Sequence, residues 1–302
     1  MIALWIPLTI AAAFCQNLRS ALQKALKGRL STTGAAYARF IYALPFGLLY
    51  LWALTSGAGY TIPEINGAFL LWCLAGSLSQ ILFTVVLLWM FTFRSFAVGT
   101  TFSKLEVVLI AAMGLVLLGD TVGPWAILAI AIGAIGTVLL AMTETKLTLG
   151  GLVRGLGERA TLVGLLCAAL LGGSVVFFRG AALSLGTPDI VVAAAFALAV
   201  ALVMQTILMG AWFLAFDRAQ LYAVLREWRR ALPVGIIGMM GSVFWFTAFT
   251  LQNAAYVRAL GQIELIFTFV ASVFFFREKV TTLEIAGIGL IVTAILLILL
   301  AG

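Results

Sequence analysis

Charged residues are scarce in this chain of 302 residues, in which Asp, Glu, Lys and Arg together make up 10%. A water-soluble domain of this length would carry about a quarter of its residues as these four types. Hydrophobic residues account for 64%, and the mean hydropathy is +1.19. A helix needs roughly 20 apolar residues to cross a bilayer core, and such segments run almost from end to end. The composition therefore predicts an all-α membrane protein.

The absence of certain residues and motifs excludes particular classes of function. The chain has no histidine, which excludes a proton relay or a metal site built from imidazole. It has no GxxxxGK[S/T] loop, which excludes a pump driven by its own nucleotide-binding domain. The cysteines Cys15, Cys73 and Cys167 lie inside apolar segments without metal-ligand spacing, and we interpret them as buried free thiols. We expect no metal and no cofactor.

Breaks rich in charge, glycine or proline divide the chain into ten apolar segments. The longest polar stretch, 143–160, falls in the middle and predicts a cytoplasmic linker between two five-helix repeats, 1–142 and 161–302. The ten predicted spans are 3–23, 34–54, 67–91, 96–118, 122–142, 161–181, 188–214, 231–251, 254–276 and 280–301.

The two halves resemble each other at a constant offset of 158 residues. This offset maps Glu106 to Glu264, Asp120 to Glu278 and Val122 to Val280. Chance is the alternative in so biased a composition, but the shared order of elements favours duplication. Because each half has an odd number of helices, the second repeat must be inverted relative to the first, an arrangement found in many secondary transporters.

Lys and Arg are concentrated in alternate loops. Thirteen of them fall on one predicted side of the membrane, whereas the opposite side has only Arg179 and Arg258. Cytoplasmic loops carry the excess of positive charge, so both termini are predicted to be extracytoplasmic. This placement at helix ends serves orientation, and no nucleic-acid partner is expected despite the net charge of +7.

Several short motifs recur in a fixed order along nearly the whole chain. They are Arg39-Phe40, Leu105-Glu106, Leu118-Gly119-Asp120, Ile263-Glu264, Arg277-Glu278, and the glycines Gly133, Gly136, Gly287 and Gly289. In order, spacing and duplication they resemble the EamA-type transporters of the drug/metabolite transporter superfamily. The resemblance implies a multi-pass protein of the bacterial inner (plasma) membrane, with a central cavity between the halves that is lined largely by helices 3, 4, 8 and 9. It also implies that the substrate is a small organic metabolite, such as an amino acid, and that it is usually exported.

Glu106 and Glu264 are the strongest candidate site residues. An ionisable group at the bilayer centre costs at least ~2.5–3.5 kcal/mol on insertion scales, so its presence suggests a function. Glu106 lies ten residues into the predicted fourth helix, which is about half of the ~30 Å core. The pair would face the cavity and either bind a cationic group or exchange protons. The alternative is structural, with each glutamate paired to a nearby cation or helix end.

Basic side chains form a second candidate group. Lys104 lies about 200° around the helix from Glu106, so a direct pair between them is not expected. It would contact a substrate carboxylate or a neighbouring helix, or would snorkel to the interface. Arg39 lies near the cytoplasmic end of its span, where snorkelling or tying of helices competes with substrate binding. Arg19 is nearer still to its loop and is interpreted as snorkelling.

The remaining candidates are polar or aromatic side chains on predicted helices 3, 8 and 9. Arg258 and Gln262 are four residues apart on one helix face and would supply a cation and an amide near the outer mouth of the cavity. Gln80 is central in its helix, where an amide joins helices more often than it contacts substrate. Trp245 would form a cavity wall for stacking or cation–π contact, or would simply pack.

The leading hypothesis is a secondary transporter that exports a small amphipathic metabolite, such as an amino acid or a related compound. It would work by alternating access, with proton coupling through Glu106 or Glu264, and its partners would be the substrate, protons and the lipid bilayer. An intramembrane enzyme is the alternative from another class, although the chain lacks histidine and a paired aspartate motif. A membrane receptor or scaffold without transport, or a channel, would also fit the fold.

Overall fold

The computed structural model describes residues 4–26, 29–90, 96–274 and 280–301. Within these ranges the chain forms fifteen α-helices and one π-helical turn, Ala53–Gly57. In chain order the α-helices are α1 Trp5–Ala25, α2 Thr32–Ile41, α3 Leu44–Trp52, α4 Gly67–Met90, α5 Phe96–Ser103, α6 Glu106–Leu118, α7 Pro124–Thr145, α8 Leu149–Gly155, α9 Arg159–Ser184, α10 Ile190–Phe216, α11 Arg218–Arg226, α12 Trp228–Leu251, α13 Ala254–Gly261, α14 Ile263–Phe274 and α15 Thr282–Ala301. The predicted family pair Arg277-Glu278 lies outside the described residues, as do the loop cations Lys27, Arg94 and Lys279.

Seven helical stretches in the described part of the chain are long and apolar enough to cross a membrane, judged by length and composition. They match seven of the ten predicted spans, in agreement with an all-α membrane protein, while the count of ten stays a prediction. The seven stretches are Thr32–Gly57, Gly67–Leu87, Pro124–Thr143, Arg159–Ser184, Ile190–Phe216, Trp228–Leu251 and Thr282–Leu300.

Three predicted spans are not continuous helices, and two of them have similar breaks. The span 96–118 consists of α5 and α6, and the span 254–276 contains α13 and α14. At the first break the N–H groups of Lys104 and Leu105 donate to carbonyls three residues earlier, at 3.2 and 3.1 Å. The N–H of Gln262 makes the same tightened bond to Ala259 at 3.3 Å. Hydropathy did not reveal these breaks, because an apolar segment remains apolar when its helix is interrupted.

Other boundaries also differ from the prediction. The polar stretch 217–230 contains α11, and the predicted linker 143–160 contains α8. The predicted span 34–54 is divided into α2 and α3, with Pro45 in the first turn of α3. Proline has no N–H to donate and its ring clashes with the carbonyl four residues earlier, which favours a new helix start at this point.

Several helices of the first predicted repeat begin 158 positions before a helix of the second, which is the offset of the predicted duplication. The first residues of α2 and α10, of α5 and α13, and of α7 and α15 are each 158 positions apart. Lys104 and Gln262, which lie in the two breaks, are separated by the same interval. These coincidences support the duplication, and the inversion of the second repeat stays a prediction.

The chain forms two compact units. Unit 1 comprises residues 1–81 and 177–252, and unit 2 comprises residues 82–176 and 253–302. Each unit therefore draws on both predicted repeats. In unit 1 the core includes Phe213, Val224 and Val234, all fully buried. In unit 2 the main packing is of α7 against α15, where Gly136 and Gly287 allow close approach of the two backbones.

In unit 1 two segments that are predicted to be cytoplasmic contact each other, the loop after α1 and the α11–α12 region. Glu227 forms ion pairs with Arg230 at 2.8 Å and with Arg29 at 3.5 Å. The hydrogen bond from Arg230 is the main cause that lowers the pKa of Glu227 from its ordinary value. The backbone N–H of Ser31 donates to the Gln220 side chain at 3.1 Å. The loop after α1 and the α11–α12 region thus lie together, as their predicted placement on one side of the membrane requires.

A glycine contact in unit 2 gives a stability prediction. A Cβ on Gly164 would lie 2.2 Å from the backbone carbonyl oxygen of Gly99, and backbone cannot move aside as a flexible side chain can. We expect Gly164→Ala to destabilise the protein by about 1–3 kcal/mol through overpacking. The matched control is Gly289→Ala, whose Cβ would meet nothing within 4 Å and should be neutral or slightly stabilising. Thermal unfolding in detergent measures both, and equal melting temperatures would contradict the prediction.

Candidate functional site

A buried ion pair lies at the first helix break in unit 2. Glu106 is the first residue of α6, and its carboxylate accepts a hydrogen bond from the guanidinium of Arg258 on α13. The two side chains are only 12% and 11% exposed, respectively. Because α13 packs against α6, residues 152 positions apart meet in the interior of unit 2. Hydrophobic replacement of such pairs is often neutral or stabilising, so a role beyond stability is the better explanation of this one.

Glu264 adds a second acid to this cluster. It lies in the first turn of α14, directly after the second break, and is half-buried. The charge of Arg258 interacts favourably with Glu264 as well as with its ion-pair partner Glu106. Both glutamates also occupy the first turn of a helix, where the helix dipole favours negative charge. The structure therefore brings together Glu106, Glu264 and Arg258 in unit 2.

Lys104 and Gln262 lie in the breaks themselves. The sequence interpretation placed Gln262 on one continuous helix with Arg258, and this is wrong because α13 ends at Gly261. Gln262 is 7% exposed, and its Oε1 has no hydrogen-bond partner among the described residues. That oxygen fills the space left by Gly133 of α7, where a Cβ would lie 2.6 Å away. Lys104 is half-buried and forms no ion pair within the described ranges.

In unit 1 the candidates Arg39 and Gln80 lie at a small polar cavity. Arg39 on α2, Gln80 on α4 and Gln205 on α10 line it together with Ser242 on α12. Gln205 is 2% exposed, and its Nε2 donates to Gln80 Oε1 at 2.7 Å. The cavity volume is about 30 Å³, room for one or two water molecules. Its apolar wall is formed by Phe40, Ala43, Leu198, Ala201, Leu202, Gly238 and Phe246.

Trp245 lies on α12 but is not among the residues that line this cavity. Its ring stacks on Phe249, with centroids 5.3 Å apart and planes 12° from parallel. Its indole N–H donates to Gln16 Oε1 at 3.2 Å. Both the face and the polar edge of the ring therefore have partners within unit 1, and of the two interpretations these contacts favour packing.

Comparisons with known proteins show which family and which fold the chain resembles. A sequence model of the EamA-like transporter family matches residues 158–300. Through these residues the C-terminal half of the chain resembles the EamA-like transporter family. This is a family of membrane transporters, which agrees with the long apolar helices of the described chain. The match supports the resemblance drawn from the sequence motifs.

The fold of this EamA-like chain also occurs in a solved structure, described only as the crystal structure of a protein. The two superimpose with a TM-score of 0.73 over 98% of each chain, at 16% sequence identity. At that identity the likeness concerns the fold alone. No curated protein matches the chain.

Sequence reasoning missed two residues of the cavity in unit 1, because Gln205 and Ser242 were not considered. A signal for Gln205 was present, because it is a lone amide in the 27-residue helix α10, which is otherwise almost entirely apolar. The partnership of Glu106 with Arg258 had no comparable signal, since the duplication offset aligns Arg258 with Thr100 and not with a charged residue.

Proposed function

We propose that the chain is a secondary transporter that exports a small amphipathic metabolite with a cationic group, such as an amino acid or a related compound. Alternating access of the two repeats around a central cavity is the mechanism that the family suggests, and export is the direction usual in it. The observation that carries the proposal is the cluster of Glu106, Arg258 and Glu264 at the paired helix breaks. Discontinuous helices with charged groups at their ends form substrate and ion sites in several transporter folds.

The charge balance of the cluster supports cation binding. One guanidinium offsets one carboxylate, so two glutamates with Arg258 leave a net charge of −1 when all three are ionised. A substrate ammonium group or a proton would interact favourably with this net negative charge. Arg258 then remains with one glutamate while the other binds the incoming cation. The same balance supports proton coupling, in which the glutamate that releases substrate takes up a proton.

Flux in proteoliposomes tests this proposal. We expect amino acids or related compounds to be transported or to compete in a panel of metabolite classes, and an imposed pH gradient to change the rate. Glu106→Gln and Glu264→Gln should each reduce flux at least tenfold, because each removes a carboxylate from the cation site. The matched control is Glu158→Gln, at an exposed position before α9, which should transport like the parent protein.

The outcomes separate the two parts of the proposal. If another metabolite class moves while amino acids neither move nor compete, the substrate assignment is wrong. If flux of the true substrate ignores the pH gradient and survives both Glu→Gln changes, proton coupling is wrong and uniport or exchange remains.

A further inference from the structure

The polar cavity of unit 1 has a positive charge in its wall and no acidic residue to balance it. Its eleven lining residues include Arg39, two amides and one serine, and none of them is Asp or Glu. Arg39 forms no ion pair with any residue that the structure describes, and its guanidinium lies over the ring of Phe40, 5.2 Å from the centroid. The arginine fork is preorganised for two parallel hydrogen bonds to an anionic group.

A second arginine increases the positive potential at this place. Arg19 of α1 and Arg39 of α2 pack on the same glycine, since a Cβ on Gly238 would lie 3.2 Å from Arg19 Cδ and 3.7 Å from Arg39 Cγ. Their charges repel each other. Arg19 lies six residues before the end of α1 and Arg39 seven residues after the start of α2, about 9 and 10 Å from those ends at 1.5 Å of rise per residue. An anion bound between the two guanidinium groups would offset this repulsion.

We propose that Arg39, with Gln80, Gln205 and Ser242, forms a binding site for a carboxylate group. The amide orientation is compatible with an anion, because Gln205 Nε2 donates to Gln80 Oε1 and so satisfies one acceptor of the lining. The Ser242 hydroxyl adds a further donor. That this carboxylate belongs to the transported metabolite rests on the proposed function, whereas the binding site itself does not.

Size and lining define the ligand further. A volume of about 30 Å³ suits a small anionic head group rather than a whole metabolite. Only one guanidinium lines the cavity, which matches the single charge of a carboxylate better than the nearly two charges of a phosphate. The surrounding Ala43, Leu202 and Phe246 are apolar and would contact a hydrocarbon portion next to the carboxylate.

Binding of 3-methylbutanoate to the purified protein in detergent tests the site. Isothermal titration at constant ionic strength compares this carboxylate with 3-methylbutanamide, which has the same shape without charge, and with inorganic phosphate. We expect the carboxylate to bind at least tenfold more tightly than either. Arg39→Met should weaken binding at least tenfold, because it keeps the aliphatic stem over Gly238 and removes the guanidinium. The control Arg226→Gln, at an exposed position on α11, should bind within twofold of the parent.

A second variant tests the cavity without changing charge. Ala201 is 1% exposed and lines the cavity, so Ala201→Val should fill the space and also weaken binding at least tenfold. The melting temperature of ligand-free Arg39→Met should equal or exceed that of the parent, because the repulsion with Arg19 is removed. A marked fall would instead show that Arg39 ties helices together and would overturn the proposal.

Other results also decide the question. The proposal is wrong if the wild-type protein binds no carboxylate, if the amide binds equally well, if phosphate binds more tightly, or if Arg39→Met retains full affinity. Carboxylate binding without any flux in vesicles would support the site and contradict the transporter function. Flux with no carboxylate binding would support the transporter function and contradict the carboxylate site.

Discussion

Replacing Arg258 by methionine is expected to destabilise the protein by about 3–5 kcal/mol, the largest loss that we predict for a single substitution. Removal of one partner from a buried ion pair leaves the other charge uncompensated. Here Arg258 balances Glu106 directly and Glu264 electrostatically, so its loss leaves two glutamates near each other. Methionine keeps most of the apolar stem, and the effect therefore reports the charge.

The companion variant Glu106→Gln should cost less than Arg258→Met. After that change Arg258 still interacts with Glu264, whereas Arg258→Met removes a cation that interacts with both glutamates. In the double variant Glu106→Gln/Arg258→Met, at least half of the loss should be recovered, because only one acid of the cluster then remains. A double-mutant cycle from denaturant unfolding in mixed micelles measures the coupling. The interpretation fails if Glu106→Gln is the costlier single change or if the two losses simply add.

Replacing Arg179 by methionine is expected to cost about 2–4 kcal/mol. In unit 1, Arg179 Nη1 donates to the carbonyl of Gln252 at 2.7 Å and to that of Phe249. The last carbonyls of a helix have no partner within it, and α12 ends at Leu251. A cation at that end satisfies these groups and interacts favourably with the helix dipole, and hydrogen bonds to charged groups are worth about 1.5–3 kcal/mol each.

The chain offers a matched control for this arginine. Arg218 donates from Nε to the carbonyl of Leu214 at 2.8 Å, near the end of α10, but at an exposed position. Water can replace its contact, so Arg218→Met should change stability by less than about 0.5 kcal/mol. Thermal unfolding of the two variants side by side provides the comparison. A loss at Arg218 as large as that at Arg179 would show that burial is not the cause.

These two arginines also explain the exceptions to the charge asymmetry. Arg179 and Arg258 were the only cations on the predicted extracytoplasmic side. One caps α12, and the other pairs with Glu106. Each is therefore retained for a contact within the protein rather than for orientation in the membrane, and the positive-inside rule concerns loops that have no such contact.

Long apolar helices were predictable from the sequence, because hydropathy reports directly on the solvent that a segment faces. The predicted span 280–301 agrees with α15 at Thr282–Ala301. The breaks at Lys104 and Gln262 were not predictable in this way, because they depend on backbone conformation inside segments that stay apolar throughout. Lys104 and Gln262 were recognised as candidates for their side chains, while their position between two helix pieces was missed.

The sequence allowed individual residues of the candidate site to be predicted, but not how they assemble. Glu106, Glu264 and Arg258 attracted attention because charge at membrane depth is costly. Their assembly around one guanidinium depends on the packing of α13 against α6, which no local pattern encodes. The cavity beside Arg39 likewise depends on four helices that are far apart in sequence, and only its individual polar residues could be recognised beforehand.

The paired helix breaks have a consequence for the history of the chain. On the proposed duplication, α5 and α13 begin and end at equivalent positions, and an acidic residue follows each break by the same interval. A feature shared by both copies is most simply inherited from their common precursor. The interrupted helix and its glutamate would then be older than the fusion of the halves. Arg258, aligned with Thr100, would be a later specialisation of one copy.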